Sequence, residues 1–80
     1  MTFDPTAIVI KNGKPDFMFI SSPCDSLEKA KSVLYNWQDH YQYVILSWWI
    51  KNENQEIIEQ DICFNNAGQL TDLDGNIIRL

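Results

Sequence analysis

Eighty residues, 45% of them hydrophobic and 21% charged, suffice for one small domain spanning residues 1–80 and are too apolar for a disordered chain. The formal net charge of −5 opposes direct nucleic-acid binding, which needs Lys and Arg against the phosphates, and no apolar run is long enough to span a bilayer. The two cysteines, Cys24 and Cys63, are too few for a disulfide scaffold, and no basic stretch followed by an apolar one marks a signal peptide. A cytoplasmic protein with free thiols is expected.

Ala7–Lys11 reads as a first strand. Asn12-Gly13 follows, a strong hairpin signal because both residues tolerate positive φ. Asp16–Ile20 reads as a second strand. Pro15 cannot donate to a ladder, which places it at a strand start or on an edge. Both strands are apolar at consecutive positions, so each offers two hydrophobic faces.

Asp25-Ser26-Leu27-Glu28 reads as a capping box, with Asp25 as the cap and Glu28 reaching back to it. Leu27, Ala30, Leu34, Trp37 and Tyr41 then recur at spacings of three and four, one face of a helix running from Ser26 to about Asp39.

Tyr41–Ile50 is the most apolar segment and reads as a strand. A regular pleat puts Val44, Leu46, Trp48 and Ile50 on one face and Tyr43, Ile45 and Trp49 on the other. Lys51–Gln55 is a polar turn, and Glu56–Asn65 reads as the partner strand. A three-residue loop with Asn54 in the left-handed region would set Trp48 opposite Ile58 and Val44 opposite Ile62. That register gathers Val44, Leu46, Trp48, Ile50, Ile58, Ile62 and Phe64 under the helix. Tyr43, Ile45, Ser47, Trp49, Ile57, Glu59, Asp61 and Cys63 then form the outer face. Asp74-Gly75 is a second hairpin signal, and Asn76–Leu80 a short terminal strand. No internal repeat is apparent.

The expected fold is α+β: a small antiparallel sheet of four or five strands with one helix packed on one face, in the order ββαββ(β). One helix shelters one side of such a sheet. The unsheltered side points to a non-enzymatic protein-interaction module, with Tyr43, Ile45 and Trp49 as its apolar centre and Glu59 and Asp61 as its rim. Self-association is the simplest form, as a homodimer about a two-fold axis. The negative charge is heaviest after Ile50, where Glu53, Glu56, Glu59, Asp61, Asp72 and Asp74 face only Lys51 and Arg79. A second form is therefore a small acidic inhibitor, of the kind phages and plasmids encode, docking on a basic nucleic-acid-binding host protein.

Motifs for chemistry are sparse. His40 is the only histidine and falls at the helix C-terminus, where the dipole favours its charged form. Cys24 precedes the helix N-terminus, a position that lowers a thiol pKa, but it has no spaced partner. Asp72–Asn76 resembles part of a calcium loop, yet the chain lacks the twelfth-position glutamate and a turn explains it better. No phosphate loop or nucleophile elbow is present, and no cofactor or metal is expected. The rival reading is a small ligand-binding domain or enzyme with a pocket near His40 or Cys63.

Overall fold

The computed structural model describes residues 1–79. Its order is β1 (Phe3–Lys11), β2 (Lys14–Phe19), α1 (Leu27–Asp39), β3 (Val44–Asn52) and β4 (Ile57–Ile62). The four strands make one antiparallel sheet in the order β2-β1-β3-β4, with the helix packed against it. β2 and β3 both run antiparallel to β1, so they point the same way, and α1 is the crossover that joins them.

The Asn12-Gly13 turn forms as its residues dictate, with φ of 54° and 77°. β1 begins four residues earlier than its apolar run, at Phe3 and through Pro5. Phe3 exchanges both backbone bonds with Cys24, at 2.8 and 2.7 Å, so Phe3 and, two residues on, Pro5 turn their amide side toward the β2 flank. β2 pairs only from Thr6 onward. Pro5 therefore lies in the gap between the Cys24 bridge and β2, where no ladder needs an N–H.

The helix buries Ala30, Leu34 and Trp37, with Leu27 and Val33 packed beside them. Tyr41, expected on that face, lies past the helix end and is exposed. The cap is Ser26, whose Oγ accepts from the Lys29 amide at 3.1 Å, and not Asp25. Asp25 instead pairs with Lys29 at 3.0 Å.

Two bulges reset the faces of the sheet. Ile8 pairs with Ser47 but Val9 with Ile45, so β3 carries an extra residue at Leu46. Ile50 pairs with Glu59 but Lys51 with Ile57, so β4 carries one at Ile58. Residues directly opposite share a face. Pro5, Ala7, Val9, Ile45, Trp48 and Ile50 consequently lie under the helix, with Glu59 and Asp61 beside them. The regular alternation expected for β3 fails at Leu46: Ile45 is core, at 2% exposure, and Val44 is not.

The β3–β4 loop has three residues, Glu53–Gln55, flanked by the Asn52–Glu56 pair. The left-handed residue is Gln55, at φ 64°, and not Asn54. Trp48 faces Asp61 and not Ile58, and Ile62 faces Ser47 and not Val44. Ile58 and Phe64, expected under the helix, are exposed.

Beyond β4 the chain forms isolated bridges, Phe64 with Leu70 and Thr71 with Ile77. The expected strand Asn76–Leu80 is thus reduced to one bridge at Ile77, and Leu80 lies outside the described residues. This tail packs on the helix side. Gln38 Oε1 accepts from the Leu73 amide at 2.6 Å, and the Tyr35 hydroxyl donates to Asp74 Oδ1 at 3.1 Å. Leu70 and Leu73 pack against the core. Among the described residues no helix is long and apolar enough to cross a membrane.

Candidate docking face

The side of the sheet away from the helix is assembled by register alone. β1 contributes Thr6, Ile8 and Ile10, which stand opposite Phe19, Phe17 and Pro15 of β2. Across the other edge of β1 the same residues meet Trp49, Ser47 and Val44 of β3. Gln60 and Ile62 of β4 continue the rows from Trp49 and Ser47, and Ile57 that from Lys51. The consecutive apolar positions of β1, β2 and β3 have a simple consequence. One set of side chains goes under the helix, and the other, nearly as hydrophobic, faces out.

This outer face is open. Phe17 is 61% exposed, Phe19 69% and Ile62 63%, and Ile57 is exposed with them. Trp49 is half-buried, its ring edge-on to Phe17 with centroids 6.4 Å apart. The pair is an aromatic centre flanked by aliphatic rows, a contiguous patch of the sort that marks interaction surfaces. The tail does not cover it, because the tail is engaged with Gln38 and Tyr35 on the opposite side.

The face is also nearly devoid of charge. Among the described residues, register places only Asp4 and Lys51 on it, directly opposite each other near one end. Asp4 Oδ1 is buried there without a hydrogen-bond partner among the described residues. Asp16, Lys11 and Lys14 fall on the helix side of β1 and β2, as Glu59 and Asp61 do on β4.

The five residues expected to form one site are therefore separated. Trp49 alone lies on the open face. Ile45 is core. Tyr43 packs against that core, with Tyr41 stacked on it at 5.8 Å and the Lys11 ammonium 5.9 Å from its ring centre. Glu59 is held by Lys31 of the helix, 2.5 Å away. Asp61 sits beside it on the same face. In place of Tyr43, Ile45, Glu59 and Asp61, the open face gathers Phe17, Phe19, Ile57 and Ile62. The apolar run of β2 carried that signal, but only the strand order shows that β2 and β3 display their outer residues on one surface.

A cleft of about 350 Å³ lies on the helix side, between α1, Trp48, the end of β4 and the tail; Lys31, Tyr35, Trp48, Asp61 and Cys63 are among its walls. His40 does not line it; its backbone N–H closes the helix on the Asn36 carbonyl, and its ring packs edge-on against Tyr41 at 4.9 Å. Burial, with lesser contributions from Asp61 and Asp72, pushes the Cys63 thiol up to about 11. The Cys24 thiol is also raised, by burial first and then by Asp25, so the helix N-terminus does not activate it. The Tyr35 hydroxyl is raised by its bond to Asp74. Neither thiol is poised as a nucleophile at neutral pH. Among the described residues no group of three or more His, Cys, Asp or Glu side chains could hold a metal ion.

No family model, curated protein or solved structure matches this chain.

Proposed function

We propose that this chain is a protein-docking module that seats the outer face of its sheet on an apolar partner surface. The observation that supports the reading is the aromatic centre of Phe17 and Phe19, left in solvent beside the half-buried Trp49 by a fold that has placed its helix and its tail on the other side. Exposed aromatic rings of this size contribute little to the monomer and a great deal to an interface that dries them.

The test reads two properties of the same variants. Phe17→Lys and Ile62→Lys replace side chains that are mostly in water, so the melting temperature should move by no more than about 2–3 °C. Complex formation, followed by light scattering, should be lost in both. Glu59→Gln and Asp61→Asn, on the helix side, should leave it unchanged. A collapse of the fold on Phe17→Lys would show the patch to be structural, and that result would overturn the reading.

A further inference from the structure

We infer that the occupant of this face is a second copy of the same chain, stacked sheet against sheet about a two-fold axis; the inference rests on the docking reading above and names its partner. Charge is the first argument. A protomer of net charge −5 repels its own copy unless its charges are kept out of the contact. Here Asp4 and Lys51 oppose each other on the outer face, and the remaining charge of the strands is on the helix side. A face that is neutral within an acidic chain suits a like-charged partner. It offers nothing to a basic partner, which would be drawn to the other side of the molecule.

Geometry supplies the second argument. Two packed sheets stand about 10 Å apart, and each helix lies about 10 Å behind its own sheet, so charges on the two helices would be about 30 Å apart and those on the helix side of the strands about 20 Å apart. Both distances are well beyond the Debye length of about 8 Å at physiological salt. Pairing edge to edge is blunted instead. β2 carries Lys14 and Pro15, and β4 carries the Ile58 bulge with Glu59 and Asp61 beside it.

Area is the third argument. Four strands of 6–9 residues present a face about 20 Å wide and 20–30 Å long, so mutual burial comes to about 800–1,200 Å² in total. This is at the lower end for specific complexes, the size of weak and reversible ones.

Sedimentation equilibrium of the full chain, with backbone NMR spectra over a dilution series, tests the inference. A dimer that dissociates on dilution is expected. Dilution should shift the amides of Thr6, Ile8 and Trp49 and leave those of Lys31 and Tyr35 in place. Raising NaCl from about 0.02 to about 0.5 M should tighten the dimer severalfold, because salt screens the residual repulsion. Phe17→Lys should be monomeric with a dispersed native spectrum, and Tyr41→Lys, exposed beyond the helix, should dimerise as before. A chain that stays monomeric at millimolar concentration in high salt overturns the second copy but leaves docking on a different partner intact. A dimer that survives Phe17→Lys, or that shifts the helix-side amides, overturns both. A dimer loosened by salt places charges in the contact and overturns the stacked arrangement.

Discussion

Ile45 and Trp49 show how much turns on one residue. Four positions apart on a regular strand, they would share a face and a role. The extra residue at Leu46 separates them, sending Ile45 into the core at 2% exposure and leaving Trp49 against Phe17 on the open side. The two alanine variants should accordingly behave in opposite ways. Ile45→Ala should cost about 2–5 kcal/mol of unfolding free energy, read from urea denaturation, because it opens a cavity beneath Trp37 and Leu34. Trp49→Ala should cost much less stability and should weaken self-association at least tenfold by sedimentation. Equal destabilisation by the two would mean that β3 is not bulged.

At the level of elements, the sequence discloses those whose signals are local. The helix is legible in Leu27, Ala30, Leu34 and Trp37, and the first hairpin in Asn12-Gly13, because a spacing of three and four or a pair of positive-φ residues has few other uses. The bulges have no such mark. Leu46 and Ile58 are apolar residues inside apolar runs, so an insertion there leaves the pattern looking regular while exchanging the faces beyond it. The two insertions turn four of the five residues expected in the site, Tyr43, Ile45, Glu59 and Asp61, away from the open face. The loops after β3 hide a regularity of another kind. Asn52–Glu56, Asn65–Gln69 and Asp72–Asn76 close the same turn three times over. In each, the first side-chain oxygen accepts from the amides two and four residues on, at 2.8–3.1 Å. The fourth position is left-handed, held by Gly68 and Gly75 in two cases and by Gln55 in the third. An Asx with glycine three residues later would have revealed two of these turns; the third is concealed by its glutamine. Gln55 bears a Cβ in a conformation that its two counterparts occupy without one. Gln55→Gly should therefore raise stability by about 0.5–1 kcal/mol in urea melts, whereas Gly68→Gln should lower it by a similar amount.

On the scale of the whole molecule, hydrophobicity and charge are sorted to opposite sides. Most of the acids lie away from the sheet's bare side, on the helix, on the tail and on the helix side of β2 and β4. A net charge of −5 at neutral pH opposes aggregation through an apolar patch left in water. The balance depends on the net charge and disappears near the pI of about 4.5. Light scattering should rise steeply as pH is lowered from 7 toward 4.5, and a Phe17→Lys, Phe19→Lys double variant, with fewer apolar groups and a higher pI, should suppress that rise. A variant that aggregates as readily as the parent would place the sticky surface elsewhere.

The position of β1 has a further bearing on how the molecule comes into being. This strand is hydrogen-bonded on both flanks, to β2 close by in sequence and to β3 through pairs as remote as Phe3 with Asn52. The hairpin, the β3–β4 loop and the two tail turns involve near neighbours and close in microseconds, but the β1–β3 seam must tie together the two ends of a loop that holds the entire helix. Until that seam forms, the early hairpin has no cover on either side, and its rings are as available to a neighbouring chain as to its own.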